Sequence, residues 1–170
     1  MGWSCHWVLL EVTDPYEVAR RLGGHLGDGR LPIGDESSRR APGPAVGPVW
    51  GRWRFLSDAH WQLVEAPVLR RLSMGTRLLR LAVEEHVMFA EAAQWTDGVE
   101  TWRITGDYDT SDPAVKSHGH VPDHLLEPPD PTSGSLVFDV PVAAIHRLTA
   151  WRYDGTNPEL DEARYSPILR

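Results

Sequence analysis

Between Arg77 and Gly106 the chain reads RLLRLAVEEHVMFAEAAQWTDGVETWRITG, two apolar alternating runs on either side of Asp97-Gly98. Asp-Gly readily supplies the positive φ angles of a type I′ two-residue turn, so this stretch predicts a β-hairpin. Such a loop would pair Trp95 with Glu100, Ala93 with Trp102 and Glu91 with Ile104. One face of the ribbon would then carry Leu79, Leu81, Val83, Val87, Phe89, Ala93, Trp102 and Ile104, with Glu85 and Glu91 among them. Glu84 and His86 would look the other way. The first arm, Arg77 to Trp95, is too long for one regular strand, and a bulge or break near Glu84-Glu85-His86 is expected.

Upstream, Cys5 to Val12 reads as a strand apolar on both faces, which suits an inner position in a sheet. Asp14-Pro15-Tyr16-Glu17 is a helix start: Asp14 caps, Pro15 takes the first turn, and Glu17 completes a capping box. Gly23-Gly24 ends that helix. Residues 23–48 hold glycines, prolines and charges with almost no large apolar side chain, and read as a long loop. Val49 to Ser57 reads as a second strand, with Trp53 and Phe55 on one face. Asp58 or Ser57 caps helical turns bearing Trp61 and Val64, and Pro67 opens a short helix that stops at Gly75. Residues 107–134 read as a second long loop, Leu136 to Val140 as a last strand, and Pro141 as the start of a closing helix ended by Gly155. The tail after Asn157 is expected to pack along the surface.

These elements favour one α+β domain over residues 1–170: a mostly antiparallel sheet of four or five strands, with the long hairpin central and helices packed on one face. No glycine-rich phosphate loop supports a parallel doubly wound sheet. Eight tryptophans suit a core or pocket built on large aromatic plates. The net charge of −7 argues against nucleic acid or an anionic membrane as partner, and leaves a basic or apolar protein, or a small molecule. Lys116 is the only lysine, a skew that points to GC-rich bacterial coding. The lone Cys5 excludes an intramolecular disulfide. The sequence carries neither a basic, apolar leader nor a run of transmembrane length, so a soluble cytoplasmic protein is the expectation.

Two clusters could carry chemistry. Alternation places Glu85 among apolar neighbours, where a carboxyl must gain a partner or bind a proton near neutral pH; with Glu84 and His86 it forms the candidate acid–base set. Glu91, Trp95, Trp102 and Arg103 are the candidate binding residues beside it. The second cluster is His118, His120, Asp123 and His124, whose spacing could gather round zinc. It has one residue too many before Asp123 for the metal motif of metallo-β-lactamases, and the expectation is a solvated loop without metal or other cofactor. His6, His60 and His146 lie in or beside apolar segments and read as packing residues.

The segments Leu72-Ser73-Met74-Gly75, Val83-Glu84-Glu85-His86-Val87-Met88, Trp95-Thr96-Asp97-Gly98, Trp102-Arg103-Ile104 and Phe138-Asp139-Val140-Pro141-Val142 together resemble a pattern in a group of uncharacterised bacterial proteins. The resemblance spans Leu69 to Asp154 and departs at Gly106-Asp107, where the pattern has His-Asp. It implies a coherent domain and no particular activity. Two functions stay open: a non-enzymatic protein-binding module of the immunity or accessory type, or a small enzyme or small-molecule binder using Glu85 and His86.

Overall fold

The computed structural model describes residues 4–29, 31–32, 43–58, 60–107, 114–129, 137–153 and 164–170. In chain order these form β1 (Ser4–Leu10), α1 (Pro15–Arg21), β2 (His25–Leu26), β3 (Leu31–Pro32), β4 (Ala45–Trp50), β5 (Trp53–Ser57), α2 (Ala66–Ser73), β6 (Arg77–Glu84), β7 (Phe89–Thr96), β8 (Val99–Asp107), β9 (Ala114–Gly119), α3 (Asp123–Leu126), α4 (Asp139–Thr149) and β10 (Arg164–Leu169). The strands make one ten-stranded sheet in the order β2-β10-β4-β5-β1-β6-β7-β8-β9, with β3 also paired to β10. Every pairing is antiparallel.

The Asp97-Gly98 turn is where the sequence puts it. Both residues have positive φ, 49° and 79°, and Thr96 pairs with Val99 across them. Beyond the turn the register departs from expectation. A β-bulge between Gln94 and Trp95 sets Trp102 opposite Gln94, and Ile104 opposite Ala92, in place of Ala93 and Glu91. A one-residue slip exchanges the faces of a strand. Trp102 and Ile104 therefore share a face with Leu79, Leu81 and Val83, whereas Glu91 and Ala93 lie on the opposite one. The break expected near Glu84 is a full reversal: residues 85–88 turn the chain, so β6, β7 and β8 form a meander. Val87 is exposed in that turn rather than part of the apolar face.

The sheet is larger than four or five strands, and helices cover both faces. On one face, α1 and α2 bring Val18, Ala19, Leu69 and Leu72 onto Val8, Leu10, Leu56, Leu78, Ala93 and Trp95. On the other, α3 and α4 bring Leu125, Val140, Ala144 and Ile145 onto Leu9, Phe55, Leu79, Leu81, Trp102 and Ile104. The two-sided apolarity of β1 and β6 is the cause, since each face must be covered. Each fully buried leucine contributes about 1.5–3 kcal/mol of apolar transfer.

Several local readings change accordingly. Both long loops contain strands, β2, β3 and the start of β4 in the first, β9 and the helix α3 in the second. The Val49–Ser57 strand is a hairpin, β4 and β5, turning at Gly51 with φ 58°. The tail carries β10, inserted between β2 and β4. Phe138 to Val140 is not a strand: Asp139 opens α4, which ends at Ala150 in the left-handed region rather than at Gly155, outside the described residues. Asp14 caps α1 through a 2.9 Å bond from the Tyr16 amide, but Glu17 turns to Arg20 and Arg21 instead of closing a capping box. From His60 to Glu65 the chain makes turns, not a helix.

Candidate functional site

Three inner strands each place a polar residue within the apolar stretch of the α1/α2 face: His6 on β1, Arg80 on β6 and Glu91 on β7. The two-way register places them in adjacent rows, with only Ala82 and Ala93 as small neighbours between. His6 is fully buried. Its Nδ1 lies 2.9 Å from Asp58 Oδ2, and Arg80 donates its Nε–H to His6 Nε2 at 2.9 Å. Because Nε2 accepts, the imidazole is neutral and its proton sits on Nδ1, donated to Asp58. Asp58 also accepts the amides of Gln62 (2.9 Å) and Leu63 (2.6 Å), so the turn after β5 is fastened to the same carboxylate. The Trp61 ring stacks on the imidazole at 5.7 Å.

The line continues across the sheet. Arg80 Nη1 donates to Glu91 Oε1 at 2.6 Å, Thr105 Oγ1 donates to Glu91 Oε2 at 3.3 Å, and Arg103 Nη1 stands 3.9 Å from that same oxygen. Arg103 Nη2 is held by Glu100 at 2.7 Å. On β9, His118 is directly opposite Arg103, and Lys116 opposite Thr105. A run of partnered charges thus begins fully buried at Asp58 and reaches solvent at Arg103, whose side chain is 41% exposed. Since α2 packs at the Leu78–Trp95 end of this face, Arg103, Lys116 and His118 lie beyond it, the last two exposed.

Burial drives the His6 imidazole below its ordinary value, with the Asp58 bond opposing and Arg80 adding to the fall. Burial likewise lowers the Arg80 guanidinium, against the pull of Glu91. The Glu100 hydrogen bond raises Arg103. Neutral His6 and a fixed Arg80–Glu91 pair make the buried end a framework; its exposed end can meet a ligand.

The acid–base candidates fare differently. Glu84, the last residue of β6, and His86 in the following turn pair at 2.6 Å, with His86 exposed. Burial pushes the Glu84 carboxyl up, but hydrogen bonds from Ser4 and His86 outweigh it and hold the group below its usual range. That direction is opposite to what a general acid at neutral pH needs. Glu85, in the turn and half-buried, accepts at its Oε1 from Tyr153 Oη at 3.0 Å. Of the binding candidates, Glu91 and Arg103 come together. Trp95 is buried on their face beneath α2, and Trp102 is buried on the opposite one. His118, His120, Asp123 and His124 are all exposed, and among the described residues no three His, Cys, Asp or Glu side chains gather to hold a metal.

His6, Asp58 and Arg80 are the members the sequence reading missed. The available signal was a polar residue interrupting each of two apolar strands, SCHWVLL and RLLRLAV, at positions that antiparallel pairing brings together. A separate cleft of about 160 Å³ is lined by Leu22, Pro44, Gln62, Ile168 and Arg170, remote in sequence from every predicted residue. Among the described residues no helix is long and apolar enough to cross a membrane. Comparison with protein-family models, with curated proteins and with solved structures finds no match.

Proposed function

We propose that this chain is a protein-binding module that receives its partner on the charged part of the sheet around β8 and β9. The observation that carries the reading is the pinned Arg103. Glu100 and Glu91 fix a half-exposed guanidinium beside the exposed His118 and Lys116, so a charged surface is ordered before any partner arrives. Preorganised side chains lose less freedom on association, and arginines held in this way are frequent anchors of interfaces. Less supports an acid–base enzyme built on Glu84, Glu85 and His86, because hydrogen bonds hold Glu84 ionised at the end of β6 and Glu85 is engaged by Tyr153.

The test is affinity capture from the source cells, followed by purification of the captured protein and calorimetric titration. A saturable complex with a Kd of about 10 μM or tighter, weakened at least tenfold by Arg103→Glu, is the expected result. A purified partner that binds Arg103→Glu as tightly as the native chain overturns the assignment of this surface.

A further inference from the structure

The sheet path ends at β9, and among the described residues β9 pairs with β8 alone. Four of its six residues, Lys116 to Gly119, are exposed. The strand is nonetheless firmly seated. Gly119 has φ 75°, a Cβ there would stand 2.2 Å from the Thr101 carbonyl oxygen, and the His120 amide donates to that same oxygen at 3.3 Å. In an antiparallel ladder the N–H and C=O of one residue point to the same neighbour and alternate along the strand. His120 faces β8, so His118 and Lys116 do too, and Val115 and Ser117 direct their backbone groups outward. An ordered edge of this kind, open among the described residues, is a template for one more strand.

We infer that β9 takes an acidic extended segment of the protein partner as an additional strand of the sheet; this rests on the protein-binding reading above. Charge selects the occupant. Lys116 and His118 stand two residues apart on one side of the strand, with Arg103 behind His118, and none of the described residues forms an ion pair with Lys116 or His118. A second copy of β9 offers these groups no carboxylate, because AVKSHG has none. Carboxylates at alternate positions of a guest strand meet them favourably. On the other side, the exposed Ser117 lies between the two carboxylates and Val115, at the margin of the core, lies next to them, so the guest residue opposite Val115 is apolar. The guest is therefore a strand in which two alternating acidic residues are followed by an apolar one.

Fluorescence anisotropy tests this with two labelled peptides, acetyl-Thr-Glu-Val-Glu-Val-Glu-Thr-amide and its Glu→Lys counterpart, titrated with the full chain at low salt. The acidic peptide is expected to bind with a Kd below about 1 mM, and at least tenfold tighter than the basic one. Lys116→Glu/His118→Glu reverses the order. Ser117→Pro removes an outward amide and weakens the acidic peptide at least fivefold, while its circular dichroism stays native. Absence of binding, equal binding of both peptides, or binding indifferent to the double substitution overturns the inference. If a captured partner also binds Lys116→Glu/His118→Glu unchanged yet loses affinity for Arg103→Glu, strand addition fails while the protein-binding reading stands.

Discussion

Arg80 donates to the same imidazole, that of His6, whose other nitrogen donates to Asp58. Protonating Nε2 would remove an acceptor and put a second cation against the guanidinium, so the folded chain resists it. The ordinary value of about 6.5 applies when the chain is unfolded. Below it the unfolded state binds a proton that the folded state, with its lowered pKa, does not yet take up. Stability from His6 is therefore complete above pH about 6.5 and drains away as pH falls toward the folded value, at a limiting slope of about 1.4 kcal/mol per pH unit. Urea denaturation of the native chain and His6→Gln between pH 7.5 and 5 checks this. A native chain that gains on the variant as pH falls would refute the neutral imidazole.

Glu91→Gln should cost on the order of 3 kcal/mol, because it leaves the Arg80 guanidinium buried without a counter-charge. The comparison is Glu84→Gln, whose partner His86 is exposed and whose loss should cost less than about 1 kcal/mol. Equal denaturation midpoints for the two variants would remove the distinction between the inner pair and the outer one.

For the turn, Gly98→Val should destabilise by about 1 kcal/mol or more. A β-branched residue resists φ 79°, and the added Cβ would lie 2.8 Å from Met74 Sδ. Thermal melting beside Val99→Ala, an exposed neighbour, isolates the effect.

Glu85→Gln should cost less than Glu91→Gln, because the amide oxygen can still accept from Tyr153 Oη. Tyr153→Phe, which removes the donor, should cost about 1 kcal/mol. A larger loss for Glu85→Gln than for Glu91→Gln would return Glu85 to the buried role that alternation alone assigns it.

The sequence reading located the elements that period and turn chemistry mark: β1, the Pro15 and Pro67 helices, and the Asp97-Gly98 hairpin. It erred where one residue decides the outcome. The bulge opposite Trp95 leaves no compositional trace in VETWRI, yet it moves Trp102 and Glu91 to opposite faces. AVKSHG carries few large apolar residues because it lies at a margin of the sheet, and RYSPIL is interrupted by Pro167, so both resemble loops. The charged line was hidden for a different reason. His6, Asp58, Arg80 and Glu91 are scattered in sequence and meet only through the ladders, so no local spacing announces them.

The position of β10 bears on how the chain reaches this state. Leu26 pairs with Ile168 and Val46 with Ser166, so one margin of the sheet is zipped by a strand made long after its neighbours. The meander β6-β7-β8 needs only short loops, whereas β2 and β4 must wait for a distant segment and incur a large closure entropy. The hairpins should therefore form early and the β10 margin last, which makes that margin the slow step of folding and the first place at which the native sheet opens.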